Sequence, residues 1–194
     1  MTHFIEAEQL KTYFSHITPI SEEVWEEFAS KLRVVHKTSG EIILHEGEVC
    51  NFVSFINKGL IRVYEIVEGI EVNRSFFMEG FFATEYQSFV NRCPSVEYLE
   101  VVQDAELVMI DYDHLQDMYQ KHKSFERLGR LISESLYVRL RKKLERFQVK
   151  TPEERYLLMT RENPDYLDKI PHYHIASYLG IKPQSLSRIR SRLR

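Results

Sequence analysis

The residues with the clearest chemical purpose lie near the C-terminal end. Lys182, Gln184, Ser185, Ser187, Arg188 and Arg192 form a polar and basic series with no acid among them. Glutamine can pair with adenine and arginine with guanine in a bidentate way, while serine hydroxyls and backbone amides can hold phosphate. To act together, such groups must project from one face of a helix. Leu186 and Ile189, three apart, supply the opposite, buried face. Ile175 and Leu179 supply the facing surface of a preceding short helix. Ala176 is small enough for the two helices to cross closely, and Gly180 can take the left-handed conformation that ends the first. Pro183 suits the first turn of the second helix, where its missing N–H costs little. This is the layout of a helix-turn-helix, whose second helix lies in the DNA major groove. A helical hairpin with a solvated basic face is the plainer alternative. The coincidence in register of small residue, glycine, apolar pair and acid-free face favours DNA.

The charge distribution points the same way. The 194 residues carry a formal net charge of −3, which alone indicates no nucleic-acid partner. After Asp168, however, there is no acid, while Lys169, Lys182, Arg188, Arg190, Arg192 and Arg194 follow. A basic end on an acidic chain marks a contact surface. Little else has workable chemistry. Cys50 and Cys93 are too few for an iron–sulfur cluster and fit a reducing compartment. His172 and His174 are two apart, poor spacing for one helix face, and read as a phosphate contact or ordinary surface residues. No catalytic residue, metal site or cofactor is expected. Glu6, Glu8 and Lys11 interrupt the N-terminal apolar residues, so no signal peptide is visible, and no apolar run spans a membrane. The expected location is cytoplasmic.

The elements that must position the basic helix fall into three regions. With 43% apolar and 12% aromatic residues the chain can build real cores. Ser21 is a plausible N-cap before Glu22 and Glu23, with Val24, Trp25, Phe28 and Leu32 making an apolar face. From about 41 to 111 the texture is of short strands: 42–44, 52–56, 60–64, 72–78, 98–102 and 106–110. Lys58-Gly59 and Glu68-Gly69 stand between strand-like runs at hairpin spacing. An antiparallel sandwich or jelly roll is implied. From 124 to 147, Leu128, Ile132, Leu136, Leu140 and Leu144 recur every four residues, backed by Leu131 and Phe147. This is a long amphipathic helix whose length and lack of a breaker favour dimerisation over packing on its own sheet. Thr151-Pro152-Glu153-Glu154 forms a capping box, and 147–151 is the candidate hinge. The fold class is therefore α+β: an N-terminal antiparallel β-roll with flanking helices over 1–122, a dimerisation helix over 123–148, and an all-α helix-turn-helix domain over 149–194.

At this point nearly the whole chain resembles the Crp/Fnr family of bacterial transcription regulators. The run 40–48 resembles the family's first strands and turn. The segment 52–64, with Asn57-Lys58-Gly59, is similar to its next hairpin, and 80–85 to the start of its phosphate-binding cassette. The match of 175–190 to its DNA-reading motif is the most specific. The resemblance implies a cyclic-nucleotide-binding β-roll, a dimer helix and a DNA-binding head. It places Gln184 and Arg188 where the family reads bases, and Ser185 where it touches phosphate. It also implies a two-stranded wing after the recognition helix. This sequence reaches only Arg194, without a complete wing, which shifts weight onto the last arginines.

The sensor half departs from the family pattern. Cyclic-nucleotide binders carry an Arg-Ser or Arg-Thr pair after the cassette Glu, and here Ser95-Val96 align with it. Thr84 replaces the cassette Gly. Glu85 is retained, and Arg74 or Arg92 could substitute for the lost arginine. Without that charge-assisted partner, cyclic AMP is not expected to bind in the usual way. The expected partners are a double-stranded DNA operator, a second copy of the chain, RNA polymerase and a small-molecule effector of unknown identity, with no membrane. Two rivals remain. One is a small-molecule-binding β-roll with a weak or vestigial DNA head. The other is a cupin-like metalloenzyme, which His45-Glu46-Gly47 does not supply with the needed His-x-His pair.

Overall fold

The computed structural model describes residues 6–193. Two short helices come first, α1 (Glu8–Ser15) and α2 (Glu22–Ala29), the second capped by the Ser21 hydroxyl, which accepts from the Val24 amide. Six strands follow: β1 (Arg33–Lys37), β2 (Ile42–Leu44), β3 (Phe52–Val67), β4 (Ile70–Met78), β5 (Phe82–Ala83) and, after helix α3 (Tyr86–Asn91), β6 (Tyr98–Asp111). All pair antiparallel in the order β1-β6-β3-β4, with β2 on β6 and β5 on β3. Helices α4 (Tyr112–Lys121) and α5 (Lys123–Val149) then lead to the C-terminal group of α6 (Pro152–Glu162), α7 (Tyr166–Lys169), α8 (His172–Tyr178) and α9 (Pro183–Leu193). The expected mixture of an antiparallel roll, a long helix and a helical head is present.

Of the two hairpins expected, one is formed and one is not. Glu68-Gly69 is a two-residue hairpin, with φ of 52 and 78 between the paired Val67 and Ile70. Lys58-Gly59 is not a hairpin. It lies within the 16-residue β3, where the register against β6 shifts on both sides of Lys58. Gly59 has φ 105, and a Cβ there would stand 2.6 Å from the Asp104 carbonyl oxygen. The glycine thus serves a bulge that lets two backbones approach. For the same reason 98–102 and 106–110 are one strand, β6.

The main core joins the roll to α1, α2, α4 and the start of α5. Phe14, Trp25, Phe28, Phe55 and Phe125 are all buried in it, with the Phe28 and Phe125 rings 4.6 Å apart. A second cluster joins Leu60 and Phe76 of the roll to Tyr156, Met159, Ile170, Ile175, Ala176, Leu179, Leu186 and Ile189. The helical head therefore packs on the sheet, with α8 against β4. No helix of the described residues is long and apolar enough to cross a membrane.

Candidate nucleic-acid interface

Helix α8 ends in a tight reversal. The Gly180 amide donates to the Ser177 carbonyl and the Ile181 amide to the Ala176 carbonyl, both at 3.0 Å, with Gly180 at φ 69. This paired closure satisfies carbonyls left over at the helix end and turns the chain sharply into α9. Ile175, Ala176 and Leu179 from one helix and Leu186 and Ile189 from the other are buried together. That packing fixes which side of α9 faces out. Lys182, Gln184, Ser187, Arg188 and Arg192 are exposed, and Ser185 is half-buried. The Arg192 guanidinium pairs with Glu153 of α6 at 2.7 Å. Arg194 lies outside the described residues. The face has no acid of its own, so charge and hydrogen-bonding capacity are concentrated where a duplex could reach them.

Arg155, which sequence reasoning passed over, ties this unit to the preceding helix. It donates to the Leu179 carbonyl at the end of α8 at 2.8 Å and to the Phe147 carbonyl at 3.3 Å, and lies 4.5 Å over the Phe147 ring. Arg146 makes a two-bond pair with Glu162 at 2.5 and 2.6 Å. The 147–151 segment is thus bridged by named contacts on either side. The capping box at Thr151 and Glu154 is formed as its sequence indicates.

His174 corrects another expectation. It is 5% exposed and faces the sheet rather than solvent. Its Nδ1 lies 3.1 Å from Arg62 Nη1 and 3.2 Å from Asn73 Nδ2. Both partners can only donate, so Nδ1 accepts and the ring proton sits on Nε2. Burial, reinforced by the Arg62 charge, lowers the His174 pKa to about 4. Arg62, 4% exposed, also pairs with Glu71 and Glu100, each at 2.6 Å. Ser177 donates to the Glu71 carbonyl and accepts from the Asn73 amide, both at 3.0 Å. No periodicity marks this node, because its members come from β3, β4, β6 and α8. His172, by contrast, is exposed and contacts Arg190.

The three candidate ligand residues of the roll are engaged in different ways. Glu85 is 8% exposed, and its carboxylate caps α3, accepting from Gln87 at 3.1 Å and Ser88 at 2.6 Å. Arg92 caps the other end of that helix with φ 54 and donates to the Cys50 carbonyl at 2.9 Å while stacking on Tyr112. Arg74 pairs with Glu65. Ser95 is buried, bonded to Glu97, and Val96 points outward. Glu97, a residue missed from sequence, has its pKa raised by burial first and then by the Glu85 charge, against Arg74 and Lys143. Carboxylates therefore share the region with the cations, which is poor ground for a phosphate.

Residues 34–122 match the cyclic nucleotide-binding domain family. Over the longer span, solved structures align with both the roll and the head. The chain has the fold of the Crp/Fnr regulators. FixK2 from Bradyrhizobium japonicum is 19% identical, with 84% of each chain covered and a TM-score of 0.68. The c-di-GMP-responsive global regulator CLP of Xanthomonas campestris is 18% identical, covering 89% of this chain and 91% of that one, at 0.67. A Eubacterium rectale protein assigned to the crp/fnr family is 15% identical, covering 89% and 83%, at 0.70. No curated protein sequence matches. The sheet against which α8 packs lies within the matched cyclic nucleotide-binding region.

Proposed function

We propose that this chain is a dimeric, sequence-specific DNA-binding regulator of transcription and not an enzyme. The observation that carries the reading is the exposed, acid-free face of α9, held outward by the buried Leu186 and Ile189. In this reading Gln184 and Arg188 address base edges, each good bidentate pair giving about 1–3 kcal/mol of discrimination. Lys182, Ser185, Ser187 and Arg192 fix the helix on the backbone, Arg192 after exchanging Glu153 for phosphate. Reading a site of useful length takes two heads. The means to join them is α5, 27 residues and so about 40 Å long, which leaves Val138, Leu140 and Leu144 exposed. RNA polymerase would be the further partner of such a dimer on DNA, and the cytoplasm its location.

The roll is the input domain in this reading, but cyclic AMP in the usual pose is not its signal. Glu85 is occupied as a helix cap, Ser95-Val96 offers no cation, and the Glu97 carboxyl stands close enough to feel the Glu85 charge. Binding-site selection from random duplex DNA, with and without cyclic AMP, tests both statements. The expected outcome is an enriched near-palindrome with half-sites about one helical turn apart, recovered equally well under both conditions. Absence of enrichment would favour a small-molecule module with a weak DNA head.

A further inference from the structure

An apolar void lies between the N-terminal helices, the roll and the first half of α5, with Thr84 and Tyr86, on either side of Glu85, in its wall. It has a volume of about 350 Å³. Phe14, Phe28 and Phe55 line its inner wall, and Tyr86 and Val90 of α3 stand at its solvent side. Gly129, Ile132, Ser133 and Leu136 bring α5 across it. Interiors normally fill such space, and an empty apolar cavity is costly. Neither Glu85 nor Ser95, Arg74 or Arg92 borders it.

The polar groups of the wall are few and define what could sit there. Ser133 Oγ donates to the Gly129 carbonyl at 2.9 Å and lies 3.0 Å from Tyr86 Oη, so Tyr86 is the donor of that pair. Thr84 donates its hydroxyl proton to the Phe52 carbonyl at 2.8 Å. The Tyr119 hydroxyl is different. It lies over Gly129, where even a Cβ would come within 2.6 Å of it, and makes no hydrogen bond to a described residue. Burial pushes its pKa up to about 12, so it keeps its proton near neutrality. The charged lining groups are Glu126 and Arg130, and Arg130 is already paired with Glu134 at 2.5 Å.

We propose that this cavity is a binding site for an uncharged, mainly apolar small molecule bearing one hydrogen-bond acceptor, to which the Tyr119 hydroxyl donates. At about 30 Å³ per atom the space suits roughly ten to fifteen non-hydrogen atoms. An anion finds no free cation in the wall, where Arg130 is already paired. The ligand would rest directly on α5, the element that continues to the DNA-binding head. Its role as an effector rests on the regulator reading above, but its binding does not.

The test uses the full chain without DNA. The small fluorophore 1-aminonaphthalene, uncharged at neutral pH, reports occupancy, and 2-decanone and decanoate compete for it. The expected result is saturable fluorescence, displaced by 2-decanone at concentrations at least tenfold below those needed for decanoate. Val90→Trp, at an exposed rim position, should abolish probe uptake while leaving thermal unfolding unchanged. Tyr119→Phe should weaken 2-decanone about three- to tenfold, as loss of one neutral hydrogen bond does, without changing probe affinity. Absence of uptake by the unmodified chain, uptake unaffected by Val90→Trp, or equal displacement by decanoate would each overturn the proposal. A failed DNA selection would leave all of these readings intact.

Discussion

His174 shows how one side chain can couple the stability of the head to pH. Its pKa is about 4 in the folded chain against 6.5 for the free group, because it is buried and accepts from Arg62. The unfolded chain therefore binds more protons between these values. The histidine's contribution is complete above pH 6.5 and is lost as pH falls toward 4. The urea midpoint should drop between pH 7 and pH 4.5, and His174→Gln, which retains an acceptor, should lose less over the same interval. Equal drops in both proteins would remove His174 as the cause. The node was not legible in the sequence, since Arg62, Glu71, Asn73, Glu100 and His174 share no spacing rule and meet only once β4 and α8 pack. The outward residues of α9 were legible, because Leu186 and Ile189 fix one face of a helix and so define the other.

Among the elements, strand β3 carries the most instructive difference between pattern and fold. Lys58-Gly59 has hairpin spacing, yet the same dipeptide serves a bulge once β6 runs past it. Local chemistry gives the positive φ at glycine, while the partner strand decides whether the chain reverses. Glu68-Gly69 does reverse, because Val67 and Ile70 pair across it. Gly59→Ala should cost well over 1 kcal/mol, from a strained φ together with a clash against backbone. Chemical denaturation checks this, with Gly69→Ala as the comparison, where nothing lies within 4 Å. The long helix was legible from its leucine period and extends by one or two residues at each end. Arg155 was not, because its partners are backbone carbonyls, 8 and 24 residues away, which no side-chain pattern marks.

At the scale of the whole molecule, the head leans on the sheet while α5 leaves much of its own apolar surface uncovered. Leu140→Asp with Leu144→Asp should convert a dimer to a monomer in sedimentation or light scattering, with little change in far-UV circular dichroism. Both positions are exposed in the single chain, so the monomer fold does not depend on them. On DNA, two kinds of side chain should separate. Lys182→Ala should weaken all sequences alike and reduce the salt slope by about one. Arg188→Ala should instead flatten discrimination between sites. The most direct measurement of the central claim is the affinity ratio between the selected site and a scrambled duplex, at fixed salt, for the unmodified chain and Arg188→Ala. A large ratio that falls at least tenfold in Arg188→Ala is predicted. A ratio near one in the unmodified chain, or one unchanged by Arg188→Ala, would contradict the account.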